Sequence, residues 1–174
     1  MPAARFVEQL NTQIGHELAA HNQYLACAVY YDVLTMPRMA AFFYEQALEE
    51  RGHALMMVQY LIDTDSPVVV PGVDAPQSVF ADVVQPVQLA LDQEKRVTEQ
   101  INGLLKTARE ESDFASEQFM QWFIKEQVEE VATMSDLLAV VSRNVEDIED
   151  IEEYVAREQG AEGEDPTAPR VAGV

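Results

Sequence analysis

The sequence predicts an all-α protein: a four-helix bundle with one long crossover and a short fifth helix near the C-terminal end. Three observations carry this. Four long segments repeat apolar residues three and four apart, the spacing of one helical face. The first and third joints between them are only a few residues long, which makes each flanking pair an antiparallel hairpin. The middle joint is long and holds Pro67, Pro71 and Pro76.

The first helix is expected over 6–34, with a seam of Leu10, Ile14, Glu17, His21, Tyr24, Ala28 and Tyr31. The second is expected over 37–63, with Pro37 in its first turn, where a missing N–H costs little. Its seam is Phe43, Ala47, Glu50, Ala54, Met57 and Leu61. The joint at 65–85 includes the apolar run Val68-Val69-Val70 and is long for a compact domain. Geometry gives the reason. A helix of about 27 residues is roughly 40 Å long, and an extended chain needs about 12 residues to return that far. The joint therefore has the reach to cross the whole bundle. The third helix is expected over 86–111, with Val87, Leu91, Glu94, Thr98, Ile101 and Leu105 in line. The fourth is expected over 113–144, N-capped by Asp113, with Phe119, Phe123, Glu126, Glu130, Met134 and Leu137 in line. A short amphipathic helix over 146–157 presents Ile148, Ile151 and Val155 on one face. Residues 1–158 thus form one domain, and the Gly/Pro/Ala-rich stretch 159–174 is expected to be a flexible tail.

Composition narrows the function. With 174 residues, 48% of them hydrophobic, the chain suits a single core. No apolar run approaches the roughly 18 residues of a membrane span, and the N-terminal stretch lacks the features of a signal peptide. Cys27 is the lone cysteine, so no internal disulfide forms, and its apolar setting predicts a buried thiol. These features predict a cytoplasmic protein. Acids outnumber bases 31 to 11, a net charge of −20. Nucleic-acid binding needs clustered Lys and Arg and is disfavoured. An acidic surface instead either concentrates cations or simply keeps the protein soluble, and composition alone leaves both open.

Each seam is interrupted near its middle by glutamate. An ionised carboxylate in an apolar interior costs several kcal/mol. These seams hold no Lys or Arg to pair with Glu17, Glu50, Glu94 and Glu130. Two divalent cations would balance four such charges. His53, three residues after Glu50 on the same face, would supply one nitrogen ligand. Mostly oxygen donors with one imidazole suit iron or manganese better than structural zinc. A lone Glu-x-x-His is a weak signal, and the pairs Glu49-Glu50 and Glu129-Glu130 alone would be solvated faces. The conjunction of one glutamate per seam, His53 and the central crossover is specific.

Up to about residue 158 the chain resembles the bacterial non-haem ferritins. The resemblance is carried by Gly-His-Glu-Leu at 15–18, Glu-Glu-Arg-Gly-His-Ala at 49–54, Leu-Asp-Gln-Glu-Lys at 91–95 and Gln-Phe-Met-Gln-Trp-Phe-Ile-Lys-Glu-Gln-Val-Glu-Glu at 118–130. It implies the ferritin-like bundle and a di-iron ferroxidase site. One iron would lie among Glu17, Glu50 and His53, and the second among Glu50, Glu94 and Glu130, with Glu50 shared. Gln127 matches a glutamine that orients water or a ligand beside the pair. Glu49, Glu126, Glu129 and Glu130 match the glutamates of a third iron site. Tyr24, two turns after Glu17, would donate an electron or hydrogen-bond a site carboxylate; an ordinary core tyrosine is the equal alternative. Trp122 is expected mainly to pack. His21 is expected to be a hydrogen-bonded seam histidine, and His16 to be exposed.

The family pairing also implies the substrates Fe(II) and O2, a ferric oxyhydroxide core, and a homo-oligomeric cage of twenty-four subunits. The fifth helix and apolar crossover would pack against neighbouring subunits. Glu117, with Gln121, is expected to guide Fe(II) inward near the turn between the third and fourth helices; a solvated acidic turn is the nearly equal alternative. Arg51 stands where haem-binding relatives carry methionine, so no haem is expected. A di-iron oxygenase acting on another substrate is the main alternative; it would typically carry a second Glu-x-x-His, where this chain has Gln127 and Glu130. A cage subunit with a degenerate site is the other.

Overall fold

A computed structural model describes residues 1–158 and 165–173. Five helices follow in order: α1 (Ala4–Val33), α2 (Pro37–Asp63), α3 (Gln85–Glu110), α4 (Phe114–Arg143) and α5 (Ile148–Glu158). α1 packs chiefly on α2, and α3 on α4, so two hairpins face one another. Among the described residues no helix is long and apolar enough to cross a membrane.

The predicted ends hold within a few residues. Asp113 caps α4 by accepting from the Ser116 backbone N–H at 3.1 Å, and it also accepts from the Ala3 N–H at 2.9 Å. The first three helices end in the same way, with a left-handed residue just past the cap: Thr35 (φ 60°), Asp65 (φ 52°) and Ser112 (φ 55°). The following N–H reaches back in each case, Met36 to Tyr31, Ser66 to Leu61 and Asp113 to Ala108. This satisfies carbonyls that would otherwise be orphaned.

The crossover runs along α1. Asn11 donates to the Pro67 carbonyl and accepts from Val69 N–H, at 2.9 and 2.6 Å. Gln23 makes the same two-way pairing with the Gln77 backbone at 2.9 Å. Tyr31 Oη donates to the Val83 carbonyl at 2.6 Å. From Asn11 to Tyr31 is about 30 Å of helix, so the chain does traverse the bundle. Gly15 permits this close approach: a Cβ there would sit 2.7 Å from Pro71 Cγ.

α5 is held by Ile151 and Val155, both buried, and by Glu152, which accepts from the Arg38 and Met39 N–H groups at 2.8 and 2.9 Å. A carboxylate on the first turn of α2 satisfies its free donors and its dipole. Ile148, expected on the same buried face, is 42% exposed. Residues 159–164 and Val174, part of the expected flexible tail, lie outside the described residues. Residues 165–173 instead lie against α2 and α4, through Asp165 on Trp122 and Lys125, Arg170 on Asp63, and Ala172 N–H on the Leu55 carbonyl.

Candidate metal centre

The core is split in two. One apolar cluster gathers Tyr24, Tyr31, Phe43, Leu137 and Val141 with the α5 side chains; the other gathers Phe6, Leu10, Ile14, Leu61, Ile101 and Met120. Between them Glu17, Glu50, His53, Glu94, Gln127 and Glu130 are all buried. Each of the four long helices contributes at least one of them. The seams of α1 and α2 lie inward as predicted. On α4 the buried line is Met120, Phe123, Gln127, Glu130, Met134 and Leu137, with Phe119 and Glu126 only half-buried. The expected line put Phe119 and Glu126 where Met120 and Gln127 lie, because two adjacent stripes on that helix both alternate apolar and acidic residues.

Ligand-type atoms of Glu17, Glu50 and His53 lie within 4.8 Å of one another. His53 Nδ1 is 3.6 Å from Glu50 Oε2. Gln13, one turn before Glu17, donates to Glu17 Oε1 at 2.8 Å. Sequence reasoning missed Gln13, although its i,i+4 spacing to Glu17 was visible. The remaining oxygens, Glu17 Oε2 and Glu50 Oε2, are buried without a hydrogen-bond partner. Such an orphan costs about 1–3 kcal/mol, more for a charged group. Two such oxygens, on carboxylates grouped with one imidazole, fit a divalent cation: oxygen-rich, with one borderline nitrogen.

Glu94 is satisfied differently. Tyr24 Oη donates to its Oε1, and Gln127 Nε2 donates to its Oε2 at 3.3 Å. Gln127 is in turn held by the Thr98 hydroxyl, which donates to its Oε1 at 2.9 Å. Tyr24 thus hydrogen-bonds a site carboxylate, one of its two expected roles. Burial pushes the Glu94 carboxyl up to about 7 against the help of the Tyr24 hydrogen bond. Glu50 is raised well above the usual range by burial and then by the charges of Glu94 and Glu17. Burial lowers His53, with Glu17 opposing, so the imidazole is neutral and can offer a lone pair. Burial is the leading cause of all three shifts; the neighbouring carboxylates add to it at Glu50 and oppose it at His53, and a proton or a cation relieves the excess negative charge.

A second group joins it. Glu49, His53, Glu126 and Glu130 also bring ligand atoms within 4.8 Å of one another, so His53 belongs to both groups. Glu130 falls in this second group and Glu94 in neither. The group opens into a cavity of about 560 Å³ between α2, α4 and α5, lined by Glu45, Glu49, Glu126, Glu129, Glu130 and Asp136 among others. Glu129 lines the cavity from its exposed rim, paired with Lys125 at 3.7 Å.

The chain matches the ferritin-like domain model over residues 7–144. It belongs to the ferritin family. Among ferritins it is 50% identical to ferritin BfrB of Mycolicibacterium smegmatis over 169 residues, 97% of this chain and 93% of that one. It is 45% identical to ferritin BfrB of Mycobacterium tuberculosis over 172 residues, 99% and 95% of the two chains. A bacterial non-heme ferritin of Staphylococcus aureus is 34% identical over 143 residues, 82% and 86% of the two chains. In structure it overlays an open-pore ferritin of Archaeoglobus fulgidus with a TM-score of 0.86 at 28% identity, covering 92% of this chain and 99% of the other. The ferritin fold, with its crossover and fifth helix, is the one the spacing predicted.

Other expected residues fall as follows. His21 Nδ1 bonds the Ala47 carbonyl at 2.6 Å and takes no part in either group. His16, expected to be exposed, is half-buried beside Gln13. Cys27 is buried, and burial pushes its thiol up to about 12, which leaves it unreactive. Glu117, the expected guide for iron, accepts from Arg109 Nε at 2.7 Å.

Proposed function

We propose that this ferritin oxidises Fe(II) with O2 at the buried cluster and stores the ferric product as a mineral inside a homo-oligomeric cage of twenty-four subunits. Iron storage and ferroxidase chemistry are the activities of its family, and the buried Glu/His cluster supplies the ligands. The observation that carries the reading is the buried oxygen on each of Glu17 and Glu50 that lacks a hydrogen-bond partner, in carboxylates grouped with His53.

In this reading Glu17, Glu50 and His53 hold one Fe(II), while Glu50, Glu94 and Glu130 hold a second. Binding replaces the protons that burial favours on Glu50 and Glu94 with metal charge. Oxidation passes electrons from Fe(II) to O2. Tyr24 fixes Glu94 through its hydroxyl, and Gln127, braced by Thr98, orients the same carboxylate. Glu49, Glu126, Glu129 and Glu130 form the third iron site at the cavity, in reach of the ferric product. The exposed apolar residues Leu25, Val29, Val33 and Val68–Val70 support burial against neighbouring subunits. Residues 1–158 are the iron-handling domain, with 159–174 appended to it. Absence of a membrane-crossing helix among the described residues and the lone buried thiol are compatible with a cytoplasmic setting.

The test is aerobic addition of many Fe(II) per subunit to purified protein, followed by size-exclusion chromatography. Iron that oxidises quickly and elutes with a large assembly, and that precipitates when Glu50→Ala and His53→Ala are combined, is the expected result. Iron precipitating equally from both proteins rejects the reading.

A further inference from the structure

The described part of the C-terminal stretch touches the bundle where Trp122 stands between solvent and the metal centre. Trp122 is the single tryptophan of the chain. Its half-buried ring meets the His53 imidazole edge-on, with centroids 5.6 Å apart, and meets Phe123 at 5.0 Å. Its indole N–H donates to Asp165 Oδ2 at 3.2 Å. The same oxygen accepts from Lys125 Nζ at 3.3 Å. The other oxygen accepts from Thr167 N–H at 2.8 Å and Thr167 Oγ1 at 2.7 Å. These bonds, those of Thr167 foremost, hold the Asp165 carboxyl well below the usual range, so it is a permanent anion. Two further contacts fasten the segment to α2: Arg170 Nη1 to Asp63 at 3.5 Å and Ala172 N–H to the Leu55 carbonyl at 3.2 Å.

We infer that Asp165 is a positioning residue for iron oxidation, fixing the Trp122 indole against His53 and so the ring that both ligand groups share. This rests on the proposed role of His53. A metal-binding imidazole is set by the groups around it, and loosening such an outer contact costs affinity or rate. Two aromatic rings, Trp122 and Phe123, brace His53. Phe123 is locked in the core, whereas Trp122 is only half-buried and has one polar atom, bonded to Asp165. Lys125 extends the arrangement to the cavity, because it also pairs with Glu129. The appended stretch therefore reaches the ferroxidase site through one carboxylate, one indole and one imidazole.

Because Trp122 is the only tryptophan, its fluorescence reads the contact directly. In the full-length assembly, Asp165→Ala is expected to move the emission to longer wavelength and raise acrylamide quenching. Asp165→Asn, which keeps an acceptor oxygen, is expected to lie nearer the parent. The initial rate at two Fe(II) per subunit is expected to fall about threefold in Asp165→Ala, less than the 10–100-fold typical of a direct ligand partner. In a Trp122→Phe background the same substitution should lower the rate no further, since the two act in series. Unchanged emission overturns the inference, as does a rate that stays at the parent value or that falls equally without the indole. A parent protein with no Fe(II) oxidation at all would instead reject the proposed function, while the fluorescence arm would still report on the contact.

Discussion

Two acidic regions meet at His53 and obey different physics. The inner one, Glu17, Glu50 and Glu94, has no more than 1% exposure at any member. The outer one, Glu49, Glu126 and Glu129, lines an open cavity. Inside, burial shifts the Glu50 and Glu94 carboxyls upward and leaves one oxygen each of Glu17 and Glu50 without a hydrogen-bond partner. Outside, water and Lys125 share the load of the charge. The difference teaches that acidity alone does not make a reactive site. A carboxylate that cannot be hydrated holds a cation tightly; a hydrated one attracts cations and lets them pass.

The sharpest way to break this comparison is kinetic. Glu50→Ala is expected to slow initial Fe(II) oxidation about 100-fold, as loss of a shared ligand should. Glu126→Ala is expected to slow it by less than about threefold, since a solvated carboxylate contributes little to a buried pair. Stopped-flow absorbance decides, and a reversed order would invert the roles of the two regions.

Stability against pH gives the next effect. The Glu94 carboxyl titrates near 4.5 in the unfolded chain and at about 7 in the fold. The folded state therefore keeps a proton that the unfolded state has lost across this window. Iron-free stability should be fully present below about pH 4.5 and fall by about 3 kcal/mol as pH rises through 7. Thermal melts of iron-free protein check this, with Glu94→Gln flattening the slope. A rise in stability over that range would refute the buried-carboxyl account.

A smaller effect comes from removing a buried carboxyl altogether. Glu50→Met should stabilise the iron-free protein by about 2 kcal/mol, because an apolar side chain of similar size suits a buried position better than a carboxylate. Glu129→Gln, at the exposed rim, should change it by less than about 0.5 kcal/mol. Chemical denaturation measures both.

Much of this arrangement was legible in the sequence, for a local reason. Helical spacing puts Glu17, Glu50, His53 and Glu94 inward, and the length of 65–85 sets the topology. Both signals lie within one segment. What escaped depends on contacts between distant segments or on small rotations. The choice of Gln127 over Glu126 as the inward residue is a matter of one position on α4. The helix ends carry Thr35, Asp65 and Ser112 where glycine is the usual marker, so composition did not flag them. Glu152 capping α2 and Asp165 bonding Trp122 join residues separated by 113 or 114 and by 43 positions. No periodicity announces such pairs, and nothing in a Gly/Pro/Ala-rich stretch flags the contacts of Asp165, Arg170 and Ala172 with the bundle.

The most direct test of the two-region account is anomalous diffraction from crystals soaked with Fe(II) without oxygen. The account predicts iron first among Glu17, Glu50 and His53, with a second ion toward Glu94 and Glu130, before any appears in the cavity. Iron that fills only the cavity beside Glu49, Glu126 and Glu129, leaving Glu17 and Glu50 without metal, would contradict it.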